Sequence, residues 1–253
     1  MMKRGLKITF LPLLGIPCLV IALFSTVWLW PMHAAVDAGI TPVVWVLAKA
    51  GMADKAAGVK GSCTVPLQIA VRKGYISIID ILLDSNADIL FKGCATSRGP
   101  DILSAAVDRP QVLEHLLAVR HIDPNIRAEG AEPPIFSTLW CHAGTGTVVG
   151  KPVAELNQQL LQSLKLLLDH GADTNVTTKD ESTPLASAAL SGCVDVVREL
   201  IARKADALAA DLVLQKYFAT IDDGTLPRKS PPEYLRMEGV KESIRLIKRA
   251  AGK

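Results

Sequence analysis

Aromatic residues are scarce: Phe, Tyr and Trp together make up 5% of the 253 residues. That is too few for the sheet cores of a β-sandwich or barrel, which draw on aromatic and β-branched side chains. An excess of one charge is also missing. Lys and Arg number 28 against 25 Asp and Glu, a formal charge of +3, so nothing global points to nucleic acid. The motifs of common chemistries are absent as well. There is no glycine-rich phosphate loop, no Gly-x-Ser-x-Gly elbow and no paired-His zinc spacing. The five histidines, His33, His115, His121, His142 and His170, are scattered. No catalytic residue, metal ligand, cofactor or small-molecule substrate is therefore expected, and the chain reads as a non-enzyme. Apolar residues reach 49% and charged ones 21%, which excludes disorder as the main state. Leu, Ala, Ile and Val supply most of the apolar mass, and that balance favours short, Ala-rich helices in an all-α fold.

Charge is also missing from a long N-terminal stretch. Lys3, Arg4 and Lys7 precede a run from Ile8 to Trp30 without a charged side chain. As a helix it would extend roughly 35 Å, enough to cross a ~30 Å hydrocarbon core. Pro12 and Pro17 predict a kink near its start. Trp28 and Trp30 close the run with side chains that prefer the interface. The basic cluster before the run keeps the N-terminus in the cytoplasm and exports the chain beyond Trp30. Residues 1–31 are thus expected to form a single-pass inner-membrane anchor, with the rest of the chain in the periplasm. The alternative is a cleaved signal peptide with Met32-His33-Ala34-Ala35 as its site, although its apolar stretch is longer than usual.

Beyond Cys18 in the run, Cys63, Cys94, Cys141 and Cys193 form an even set. In an exported domain these allow two bridges by any of three pairings, with buried reduced thiols as the alternative.

Paired leucines recur ahead of small-residue turns at Leu82-Leu83, Leu116-Leu117, Leu167-Leu168 and, conservatively replaced, Leu200-Ile201. The steps are 34, 51 and 33 residues, the middle one containing a 17-residue insertion. A period of 33–34 marks a stacked-hairpin solenoid. Around the last pair, Gly171-Ala172-Asp173-Thr174-Asn175 is followed by Thr183-Pro184-Leu185, Ala188, Gly192 and Val196-Val197. Earlier units repeat this as Val65-Pro66-Leu67-Gln68-Ile69-Ala70 with Gly74, as Leu103-Ser104-Ala105-Ala106, and as Pro133-Pro134-Ile135. The second unit has Arg109-Pro110 where the turn glycine belongs, so that turn must differ.

These residues resemble the ankyrin repeat family over about residues 62–210. The physics agrees: Thr183 can cap a helix that Pro184 begins, and each helix is too short to persist unless stacking buries its Leu and Ala face. The resemblance implies repeats at 62–95, 96–129, 130–178 (with an insertion at about 141–157) and 179–210. Residues 40–61 are read as an N-terminal capping helix and linker, and 211–253 as a C-terminal cap. In that cap Val240, Ile244, Ile247 and Ala251 form one apolar stripe on a last helix from about Glu233, flanked by basic residues. Asn175-Val176-Thr177 matches a glycosylation sequon, but the repeat itself accounts for Asn175.

The family further implies protein binding through finger tips and first-helix positions. Here the tip is Thr177, Thr178, Lys179, Asp180 and Glu181, with Lys92, Thr96, Arg98, Arg127 and Glu129 in other fingers. The helix positions are Arg72, Lys73, Asp108, Arg109, Leu190 and Ser191. Aligning the units suggests the pairings Cys63–Cys94 and Cys141–Cys193, the second tethering the insertion to the stack. A protein partner is expected, in the narrowest version an exported toxin such as a lipase or cell-wall hydrolase that this chain neutralises as an immunity protein. Alternatives are an envelope scaffold or regulator, an effector released by cleavage near Ala35, and an enzyme or metal-handling site around Cys141 and His142.

Overall fold

The computed structural model describes residues 31–53, 57–59, 62–90, 101–127, 131–142, 147–148, 150–222 and 238–252. Ten α-helices run through them: α1 (Pro31–Asp37), α2 (Thr41–Lys49), α3 (Pro66–Lys73), α4 (Ile76–Asp84), α5 (Pro110–Glu114), α6 (Val153–Asp169), α7 (Pro184–Leu190), α8 (Val194–Ala202), α9 (Ala207–Asp222) and α10 (Glu238–Ala250). Among the described residues strands are confined to two antiparallel hairpins, β1 (Ala57–Val59) with β2 (Ser62–Thr64) and β3 (Thr147–Val148) with β4 (Lys151–Pro152). The described residues are mostly helical, as the composition implies. Among the described residues no helix is long and apolar enough to cross a membrane. The run Ile8–Trp30, where the anchor was expected, lies outside the described residues, as does Cys94.

Neighbouring elements pair in chain order: α1 with α2, α3 with α4, the 3-10 turn Ser104–Ala106 with α5, the 3-10 turn Pro134–Thr138 with α6, α7 with α8, and α9 with α10. First elements also touch first elements along the stack, and α2–α4, α5–α6, α6–α8 and α8–α10 continue a second row. Period and burial coincide, because Leu82, Leu116, Leu167 and Leu200 are each fully buried in one continuous core. A side chain that a helix of eight or nine residues cannot bury alone is thereby covered by the next layer.

Polar and charged side chains link neighbours along the second row. His115 Nε2 lies 2.8 Å from Asp80 Oδ1, and Arg120 Nη2 donates to Asp84 at 2.9 Å. Arg203 likewise reaches back to Asp169 at 2.7 Å, and Lys165 lies 3.7 Å from Glu199. The first two pairs are separated by 35 and 36 residues. The extra residue falls where α5 runs on as a π-helix over His115–Val119, which takes in one more residue per turn than an α-helix.

The structure adds detail at both ends of the stack and at the insertion. A complete hairpin, α1 with α2, precedes the repeats, and Met32, Ala35 and Val36 of α1 are buried against α3. His33 is buried too, its Nε2 2.9 Å from the Thr64 carbonyl, and burial pushes its pKa down despite that bond. Helix α6 begins at Val153, inside the stretch taken as insertion, because Val153 is buried and continues the apolar side of Leu160, Leu164 and Leu167. The last helix is described from Glu238. Its stripe packs inward on α7, α8 and α9, with Val240 and Ile247 buried and Ile244 and Ala251 partly so.

Candidate protein-binding site

The first-helix row carries a cleft to which three successive layers contribute. Asp37 ends α1, Gln68, Ile69, Arg72 and Lys73 come from α3, and Arg109 precedes α5; all line it together with Thr64. Helix α3 stops at Gly74, which adopts a left-handed φ of 80° that a side chain would disfavour. That stop leaves Arg72 and Lys73 at the rim of the last turn. In the next layer Arg109 replaces the turn glycine with a negative φ of −137°, and its guanidinium lies over Gly74.

The electrostatics of this cleft are one-sided. Lys73 Nζ pairs with Asp37 at 3.0 Å. Among the described residues neither Arg72 nor Arg109 has a carboxylate partner, and the buried Nε of Arg109 has no hydrogen-bond acceptor. A guanidinium in that state is suited to a bidentate carboxylate brought by something else. Three of the residues expected from sequence, Arg72, Lys73 and Arg109, thus meet in one place. Asp108 is exposed beside Arg109 but does not line the cleft.

The other expected positions are placed separately. Leu190, read as a surface position, is half-buried and packs on the core, since the apolar side of α7 extends to its last turn. Ser191 donates its Oγ to the Ser187 carbonyl and lines a second cleft with Cys141, His142, Asn157, Gln158 and Asp195. Thr177, Lys179, Asp180 and Glu181 are exposed on the finger before α7, which is closed by backbone bonds between Thr178 and both Glu181 and Ser182. Glu181 is already engaged, accepting from Lys216 of α9 at 2.6 Å. Arg127 is exposed in its own loop, while Lys92, Thr96, Arg98 and Glu129 lie outside the described residues.

Cys141 and Cys193 are joined as a disulfide, with Cα atoms 5.6 Å apart. The bond ties the loop after Pro134–Thr138 to the turn between α7 and α8. Beside it, His142 and Asn157 exchange two hydrogen bonds, His142 N–H to Oδ1 at 2.9 Å and Nδ2 to the His142 carbonyl at 3.0 Å. Trp140, immediately before the half-cystine, is 67% exposed. Among the described residues no three His, Cys, Asp or Glu side chains gather as a metal site.

Two further residues hold the repeat layers in place. Asp101 stands where the last repeat has Thr183. Its Oδ1 accepts the N–H groups of Leu103 and Ser104 and its Oδ2 the Ser104 hydroxyl, all at 2.9 Å. Asn125 accepts the Asp173 N–H at 2.8 Å and donates to the Gly171 carbonyl at 3.0 Å. The signal was legible in both cases. Asp is a strong helix cap, and Asp123-Pro124-Asn125 has the same spacing as Asp173-Thr174-Asn175.

The Ankyrin repeat family model matches residues 180–212, from the finger through α7 and α8 into α9. The sequence is also 28% identical over 131 residues, 52% of this chain, to Alpha-latrocrustotoxin-Lt1a of Latrodectus tredecimguttatus. That match covers 8% of the toxin, so this chain spans only a small fraction of that relative. The repeat match supports the ankyrin repeat family, a typically non-enzymatic class of protein-interaction module.

Proposed function

We propose that this chain binds another protein by seating an acidic segment in the cleft of Arg72, Lys73 and Arg109, while residues 1–31 hold it in the inner membrane with the stack in the periplasm. One observation carries the binding reading: two arginines from successive layers converge on one cleft with no carboxylate partner among the described residues. Arg72 is exposed, but the buried Nε of Arg109, left without an acceptor, costs stability unless a ligand compensates.

The anchor is supported by the uncharged run Ile8–Trp30 after a basic cluster. Retention of the run is supported by α1, because cleavage near Ala35 would cut a helix whose Met32 and Val36 are buried in the core. The exported side is supported by the Cys141–Cys193 bond. The narrower role we propose is an immunity protein that covers the active cleft of an exported toxin.

The test is co-purification with the products of adjacent genes. Wild-type chain retains one of them, and Arg72→Glu with Arg109→Glu releases it without loss of helicity. Retention by the charge-reversed variant contradicts the site, and a retained partner without toxicity contradicts the immunity role.

A further inference from the structure

The outer layer of a water-exposed helical stack normally presents a polar face. Helix α2 does not. Val44 and Ala48 point into the core, while Val43 (43% exposed), Trp45 (52%) and Val46 (57%) face away from it, joined by Ile40 (48%) at the turn. Lys49, in the last turn, is the single charge on this helix. At the other end of the stack the exposed side of α10 carries Lys241, Arg245, Lys248 and Arg249. The two ends are therefore finished differently.

We propose that the outward face of α2 lies on a lipid bilayer, with Trp45 at headgroup depth and Val43 and Val46 toward the acyl chains. The occupant is set by the segment that leads into this face. The uncharged run ends at Trp30, and α1 starts at the next residue, Pro31. Helix α1 packs directly on α2, so in sequence the run leads straight into the layer that carries this face. Three of the four tryptophans, Trp28, Trp30 and Trp45, fall between positions 28 and 45 of the sequence, and tryptophan concentrates at membrane interfaces. Lys49 can lay its stem along the apolar surface and keep its ammonium among the headgroups. An apolar face opposite a core-packed side is the pattern of a helix lying in the interface plane. The inference rests on the anchor reading, which fixes the run in the same bilayer.

The test uses the full chain in vesicles of phosphatidylcholine and phosphatidylglycerol, with Trp28, Trp30 and Trp140 changed to Phe so that Trp45 alone emits. Flotation after a carbonate wash reports the anchor independently. Three results together support the proposal. The chain floats. Trp45 emission shifts to the blue and is lost with lipid brominated near the headgroup. Leu212→Trp, placed on an exposed position of α9 in a Trp45→Phe background, keeps its emission. Val43→Asp with Val46→Asp, both at exposed positions, should float equally well and lose the quenching. A chain that floats with unquenched Trp45 overturns this inference and leaves the anchor standing. A blue-shifted Trp45 that bromine does not quench also overturns it, since protein then covers the face. Failure to float overturns both.

Discussion

The side-chain oxygen of Asn175 accepts the backbone N–H of Asp206 at 2.8 Å, and one layer earlier Asn125 treats Asp173 in the same way. Each Asn therefore holds the start of the next layer by a bond that local chain geometry cannot make. In the first repeat that position is Leu90, whose N–H bonds back to Asp88 at 3.0 Å, and no such rung is available. Asn175→Ala and Asn125→Ala should each lower stability by about 1 kcal/mol, the net worth of such a bond. Urea midpoints check this, and an unchanged midpoint for both contradicts it.

The Cys141–Cys193 bond closes a loop across a separation of 52 residues. Chain-entropy reasoning assigns such a closure about 4 kcal/mol. Cys141→Ser with Cys193→Ser should lower the denaturation midpoint, and reductant should do the same to the wild type. If reductant leaves the unfolding curve in place, the bond has no such role.

Gly239 in α10 sits against Gly192, and a Cβ there would meet the Gly192 carbonyl oxygen at 2.6 Å. Alanine normally stabilises a helix over glycine by about 1 kcal/mol. Here backbone meets backbone, so Gly239→Ala must push α10 off the α7–α8 turn. A lower Tm is expected, and a higher one contradicts this packing.

Asp101 is buried, and burial pushes its pKa above the ordinary value of 3.8 although its hydrogen bonds oppose the shift. A carboxyl raised on folding contributes stability that is complete below its unfolded pKa and is lost as pH rises through the folded pKa. Wild-type stability should therefore fall relative to Asp101→Asn as pH climbs from below 3.8, because Asn keeps an acceptor and does not titrate. Asp101→Ala should lose about 1 kcal/mol through the missing cap. Parallel pH curves for wild type and Asp101→Asn contradict the assignment.

Sequence patterning made the repeats legible because one physical demand, burial of a leucine at each layer, recurs at a fixed step. Thr183 was readable as a cap for the same reason: its partner, the Ala186 N–H, is three residues away. What depends on distant contacts was not readable. Helix α1 looks like the tail of an apolar run until α3 covers Met32 and Val36, and Leu190 looks like surface until the layers close on it. The first elements of two layers shrink to 3-10 turns, Ser104–Ala106 and Pro134–Thr138, which no local propensity announces. Of the proposed binding positions, Arg72, Lys73 and Arg109 were read from repeat register. Their convergence with Asp37 and Gln68 needed the turn geometry at Gly74.

The central claim is that the first-helix cleft is where a partner sits. A photo-crosslinking side chain placed at Arg72 in the full chain, irradiated in its native cells, measures this most directly. A dominant cross-linked protein at position 72, absent when the same group replaces the exposed Ala202 on α8, is the result this account predicts. Equal labelling at both positions, or none at 72, would contradict it.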